Sequence, residues 1–350
     1  MKTKISVLFM TAIFTALSLW CIFGPKSDYS DSERRLLAKE PELSWEAISS
    51  GEFASNFESY AVDHFPARDT FRSLKAYTRL YLFMQKDNNG LFQKDGYLSK
   101  LEYPENPQMK EHASKLFAKI HEKYLTDNKV YFAMIPDKNR YLADLTLDYD
   151  RFEKDMAASL PFATPIHIAD LLSAEDYYYT DTHWRQEQIT DVADLLAESM
   201  GTSLPKEYET KTLTTPFYGV YVGQSALSVS PDEIRYLTNP TMENFVVEGA
   251  TLYDRKKLEG KDPYEMFLSG NQPLITIQNP ADASGKRLIL FRDSFGSSIA
   301  PLLAQGYSET VLIDLRYVSS DILGQFVEFE NADVLFLYST LLLNNSLSMK

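Results

Sequence analysis

The amino-acid sequence predicts an α/β fold, a mainly parallel sheet flanked by helices, preceded by an N-terminal transmembrane helix and a helical juxtamembrane region. Three observations predict it. Short apolar runs at 129–135, 287–291, 310–314 and 334–338 are each bounded by turn signals, the pattern of strands buried on both faces. Stretches with helical spacing lie between several of them, and alternation of strands with helices implies parallel pairing. The composition, 44% hydrophobic and 13% aromatic over 350 residues, supports a sizeable core and excludes a disordered chain.

In chain order, residues 5–23 carry no charge and are mostly apolar; as a helix they span roughly 28 Å, close to the hydrocarbon thickness of a bilayer. Lys2 and Lys4 precede them, which places the N-terminus in the cytoplasm and everything after Gly24 outside. A cleaved signal peptide, with a secreted product, is the rival reading. The run ends Trp20-Cys21-Ile22-Phe23-Gly24-Pro25 without a small-x-small site, which favours an uncleaved anchor over residues 1–25. Residues 26–105 read as a tether and a helical juxtamembrane region. Phe53, Phe57 and Tyr60 share one helical face, and Leu74, Tyr77, Leu80, Tyr81 and Met84 form another. Pro66 breaks the helix between them, and His64 reads as a surface or capping residue.

The α/β domain is expected over 106–350. A helix at 107–125 leads into the strand 129–135, whose carboxyl end carries Asp137-Lys138-Asn139-Arg140. Ligands of open α/β sheets bind at such ends, so Lys138 and Asn139 are candidate substrate-binding residues beside the plain reading of a solvated loop. A second short strand is expected at 166–168, with His167 a strand residue without chemistry. Helical spacing runs from Ile189 to Met200, and Gly201 suits a C-terminal cap. Residues 202–285 show no regular period and read as an insertion with β character. The last section alternates: strand 287–291, helix 294–304 kinked at Pro301, strand 310–314, helix 319–326, strand 334–338. Arg316 and Tyr317, just past the third of these strands, are further substrate-binding candidates.

The formal net charge is −14; beyond residue 23 there are 33 basic against 49 acidic residues, a balance of −16. That disfavours a nucleic-acid partner. Cys21 is the only cysteine, which excludes an internal disulfide and a cysteine-based metal cage.

Chemistry concentrates in two stretches. Asp181-Thr182-His183-Trp184 sets a carboxylate two residues from an imidazole; in an extended segment both point to one side, and a carboxylate so placed fixes the tautomer of a general base. Leu290-Phe291-Arg292-Asp293-Ser294-Phe295-Gly296 places a serine where a strand passes into a helix. There, first-turn N–H groups and the helix dipole favour a developing oxyanion. Ser294, His183 and Asp181 are therefore the expected nucleophile, base and orienting acid. Two other readings stay open: Asp293 and Ser294 as simple helix caps, and Asp181, His183, Asp293 and Asp314 as ligands of a hydrolytic metal centre. The serine is not in a G-x-S-x-G elbow.

Taken together, Tyr60-Ala61-Val62-Asp63-His64-Phe65-Pro66-Ala67-Arg68, Ile135-Pro136-Asp137-Lys138, Asp181-Thr182-His183-Trp184, Arg292-Asp293-Ser294-Phe295 and Ile313-Asp314-Leu315-Arg316-Tyr317 resemble the DHHW proteins. These are related to the alginate O-acetylation proteins and to the SGNH hydrolases. Thr182 replaces the first histidine of the family's motif, and Arg185 follows the tryptophan. The resemblance implies an SGNH-like sheet with a permuted motif order, Asp-x-His before serine. It implies acyl transfer through an acyl-Ser294 intermediate, no cofactor, an extracellular polysaccharide as acceptor, and a membrane-bound O-acyltransferase as donor partner. A non-catalytic, membrane-anchored glycan-binding or assembly module with a degenerate site is the alternative.

Overall fold

The computed structural model describes residues 2–350. It consists of two compact units: residues up to Phe92 with Val222–Val229, and Gln93–Tyr221 with Ser230–Lys350. The boundary expected at 105 falls inside the second unit.

The first unit begins with α1 (Lys2–Phe23). Its Lys4–Cys21 stretch is long and apolar enough to cross a membrane, consistent with an anchor or a signal sequence. Three short helices follow: α2 (Trp45–Ser50), α3 (Glu52–Asp63) and α4 (Arg68–Tyr77), which widens into a π turn over Thr78–Leu82. Ser44 caps α2 by accepting from the Ala47 N–H. Pro66 separates α3 from α4, and His64 is the residue that ends α3, with Nε2 2.9 Å from the Ala38 carbonyl.

The second unit is built on a seven-stranded sheet. Its strands are β1 (Lys129–Ile135), β2 (Ala163–Pro165), β3 (Val246–Glu248), β4 (Leu274–Gln278), β5 (Arg287–Arg292), β6 (Glu309–Ile313) and β7 (Ala332–Ser339). The spatial order is β2-β1-β7-β5-β6-β4-β3. The first five run parallel; β4 and β3 join antiparallel at the β6 edge. Alternation sorts each strand between two cores. Tyr131, Ala133, Leu288, Leu290, Leu335 and Leu337 pack on one side with α7 (Thr190–Ser199) and α8 (Gly296–Leu303). Val130, Phe132, Ile289, Phe291, Val334 and Phe336 pack on the other with α5 (Pro107–Tyr124) and α6 (Tyr149–Ala158). Both faces are covered, which is why these strands read as unbroken apolar runs.

The structure corrects one expectation and refines two. The strand predicted at 166–168 ends at Pro165; the Ile166 N–H still reaches the Phe132 carbonyl at 2.8 Å, but His167 has left the ladder and pairs with Glu153 and Asp170. The 319–326 segment is a 3-10 helix, Ser320–Gln325. The 202–285 stretch supplies two strands of the central sheet. Both are short, β3 at the edge and β4 next to it, and a three- or five-residue alternation is too brief to stand out.

Candidate active site

Ser294 sits one residue beyond Asp293, in the turn between β5 and α8. The turn is pinned by its neighbour. The Asp293 carboxylate accepts from the Phe295 N–H (3.0 Å), and on its other oxygen from the Ser339 N–H (2.9 Å) and hydroxyl (2.6 Å) at the end of β7. Gly296 lets this turn close over the buried Arg292, since a Cβ there would lie 2.6 Å from the arginine's own Cβ.

The Asp181–His183 pair is held in a different way from the one the spacing suggested. The segment is not extended. Tyr177 and Trp184 form an antiparallel bridge, and residues 179–183 turn back between them. The pair meets because Asp181 Oδ1 accepts both the His183 N–H (3.1 Å) and, at 2.6 Å, its ring Nδ1. Oδ2 accepts from the Val220 N–H at 2.9 Å. This needs Gly219, where a Cβ would lie 2.4 Å from Asp181. Burial works against a charge on Asp181, yet the imidazole beside it and the donated hydrogen bonds prevail and hold its carboxyl well below the usual range.

His183 Nε2 lies 2.8 Å from Ser294 Oγ. The three side chains thus form one line, with Asp181 and His183 buried and Ser294 partly exposed. The imidazole lies between rings: Tyr264 is stacked on it at 3.7 Å with an interplanar angle of 5°, and Phe295 is tilted against it at 4.8 Å. Trp184 sets the relative position of the two segments. Its Nε1–H donates to the Phe295 carbonyl (3.0 Å) and to Ser298 Oγ (2.9 Å), so neighbours of the base grip neighbours of the hydroxyl.

Lys138 and Asn139 are near this line but face inward. Lys138 is buried, and its Nζ donates to the carbonyls of Tyr178 (2.8 Å), Tyr179 (3.3 Å) and Asp181 (2.7 Å). Burial pushes it down to about 7 against the pull of Asp181, Asp232 and Asp137. Three carbonyl acceptors match the three protons of an ammonium, so the head group ties down the Asp181 loop. The Asn139 side chain joins Ser99 and Lys100. Arg316 is bidentate to Asp314 at 2.9 and 2.6 Å, and Tyr317 is half exposed beside it.

Asp293 and Asp314 are occupied as described, apart from the Asp181–His183 pair. Among the described residues no three His, Cys, Asp or Glu side chains are grouped to hold an ion, and the metal reading lacks its ligand set. The first-turn N–H groups expected to be free are engaged: Phe295 with Asp293 Oδ1, Gly296 with the Asp293 carbonyl, Ser297 with the Ser294 carbonyl.

Sequence reasoning missed Asp232 and Tyr264. Asp232 accepts the N–H groups of Tyr179 and Thr180 (both 2.8 Å) and the Thr180 hydroxyl, fixing the loop before Asp181. Tyr264 Oη donates to Ser298 Oγ at 3.0 Å, which aligns its ring on His183. Both come from the irregular 202–285 stretch and carry no local signal.

No protein-family profile matches the chain, and no curated protein matches it by sequence. Solved structures do. A DHHW family protein from Eubacterium siraeum superposes with a TM-score of 0.55 at 20% identity, over 73% of this chain and 93% of that one. Bacillus cereus PatB1 with a sulfonyl adduct gives 0.57 at 19%, over 72% and 95%, and a second PatB1 structure gives 0.55 at 18%, over 73% and 97%. The chain has the fold of these proteins.

Proposed function

We propose that the chain is an SGNH-like serine acyltransferase or esterase that adds acetyl groups to, or removes them from, an extracellular polysaccharide, and that works through an acyl-Ser294 intermediate. The observation that carries this reading is the continuous contact Asp181 Oδ1–His183 Nδ1 and His183 Nε2–Ser294 Oγ, at 2.6 and 2.8 Å, with Ser294 the most exposed residue of the three. Asp-x-His precedes the serine along the chain, the permuted order noted above. Localisation at the cell membrane, with the second unit outside, is supported by the apolar run of α1 and by Lys2 and Lys4 at its start.

The chemistry is derived from these three groups. His183 Nε2 takes the Ser294 proton as Oγ attacks the acyl carbonyl carbon. Asp181 accepts from Nδ1–H throughout, which leaves Nε2 as the base and stabilises the imidazolium. The tetrahedral adduct collapses, the C–O bond to the donor breaks, and the donor's oxygen leaves with the proton from His183. A polysaccharide hydroxyl then gives its proton to His183 and attacks the acyl-serine; Oγ leaves and recovers that proton. With water in place of the sugar the same step is hydrolysis. With the next three N–H groups engaged, the Ser294 N–H is the backbone donor this reading assigns to the oxyanion. A membrane-bound O-acyltransferase is the donor partner that an anchored enzyme of this kind would use.

The test is intact mass analysis after incubation with a chromogenic acetyl ester. A single acetyl group should appear on the wild-type chain, map to Ser294 and be absent from Ser294→Ala. PatB1, of the same fold, has been observed with a sulfonyl adduct, so a sulfonyl fluoride should block the acetylation. If the ester is never turned over and no reagent modifies Ser294, the glycan-binding module becomes the better reading.

A further inference from the structure

We propose that α4 and its π-helical continuation form a membrane-contact face that settles on a bilayer surface carrying anionic lipid. Helix geometry separates the residues of this segment into adjoining stripes. Phe71, Leu74, Tyr77 and Tyr81 recur at three- to four-residue intervals along one side. All are exposed, Leu74 at 61%, and the chain then runs on through Leu82, Phe83 and Met84, exposed at 71, 65 and 78%. Beside that stripe runs a basic one, Arg68, Arg72, Lys75 and Arg79.

The charge of this segment opposes that of the whole. Residues 68–86 hold five cations (Arg68, Arg72, Lys75, Arg79 and Lys86) against Asp69, a balance of +4 in a chain of −14. Arg68 and Arg72 are engaged with Glu33, Asp63 and Asp69. Lys75 and Arg79 meet only the neutral amides of Asn89 and Gln85, and no carboxylate pairs with either, or with Lys86, among the described residues. An apolar stripe whose basic flank keeps Lys75 and Arg79 without a carboxylate partner suits the boundary of acyl chains and anionic headgroups. A groove of about 710 Å3 lined by α3 and α4 adds Phe57, Val62 and Phe65 to the apolar surface beside Phe71, with Glu33, Glu58 and Lys75 also in its lining.

The bilayer is favoured over a second copy of the chain by where this face is held. Lys26, three residues past the end of α1, lies over the Tyr60 ring of α3 at 5.2 Å, and three residues span about 10 Å at most. Farther along, Arg35 and the Ala38 N–H are bound by Asp63 at the end of α3. Wherever α1 inserts, the helices after it stay close to the headgroups. The inference rests on the anchored reading of α1 and is independent of the serine chemistry.

The experiment uses the full chain with Cys21→Ser and Leu74→Cys, carrying an environment-sensitive fluorophore at position 74, in vesicles of phosphatidylcholine alone or with phosphatidylglycerol. In the anionic vesicles the emission should shift to the blue and iodide quenching should fall several-fold. Arg79→Glu with Lys86→Glu should reverse both changes. Resistance to alkaline carbonate extraction tests the anchor separately. If the chain resists extraction while the label stays water-like in both vesicles, the inference falls and the anchor stands. Protection that is equal in both vesicles and depends on protein concentration overturns it in favour of self-association.

Discussion

All eight residues of α8 are buried, whereas α2 and α3 bury none. In the second unit a helix is held by what packs on it. Ile299, Leu302 and Leu303 join the core on one side of the sheet, and even Ser297 and Ser298 are covered and hydrogen-bonded. In the first unit, helices keep their period through caps and ion pairs, and leave Phe57, Leu74 and Tyr81 outside. An amphipathic pattern therefore means two things in one chain: a face turned to the protein's own interior, and a face left for something else. Ser294 belongs to the first kind of surroundings, where its neighbours are fixed.

Asp181→Asn sharpens the contrast most. The fixed surroundings keep the fold, while the amide favours the wrong imidazole tautomer, so turnover of an acetyl ester should drop by roughly 10⁴ with little change in thermal midpoint. A loss of less than tenfold in steady-state kinetics would sink the assigned role.

Truncations come next. Leu302→Ala removes a fully buried side chain and should cost about 2–5 kcal/mol in urea unfolding. Leu74→Ala should stay within about 0.5 kcal/mol in detergent solution. Equal costs would break the distinction between the units.

The smallest effect concerns Asp137. Burial raises its carboxyl from 3.8 to about 6, despite hydrogen bonds from Tyr149, the Asn139 N–H and Thr340. A folded value above the unfolded one means stability present below pH 3.8 and lost as the pH rises through 6. Relative to Asp137→Asn, the wild type should lose up to about 3 kcal/mol between pH 4 and pH 7, read from urea midpoints at both ends. A constant difference across that window would show that Asp137 keeps an ordinary affinity for its proton.

What could be read in advance followed the same division. β1 was legible to the residue and β5–β7 to within two at either end, because strands covered on both faces must be apolar throughout. The identities of Ser294, His183 and Asp181 were legible from two short stretches. Their mechanism of approach was not: the Asp181 turn depends on Gly219 and Val220, which lie 38 and 39 residues away along the chain, and on Asp232, whose local sequence gives no hint of three donors converging on it. Lys138 was noticed for its position at a strand end, but a lysine whose head group serves three carbonyls looks, in sequence, like any loop lysine.

The bond from Trp184 to the Phe295 carbonyl has a consequence for folding errors. His183 and Trp184 face Ser294 and Phe295 like two rungs of a ladder. Slipping the 181–184 segment by one residue would put an indole where the imidazole lies, while the strands of the central sheet, which that segment does not join, would keep their register. Misassembly of this kind would leave Ser294 without its imidazole partner, so under the proposed function the fraction of molecules labelled at Ser294 by a sulfonyl fluoride would count those correctly assembled.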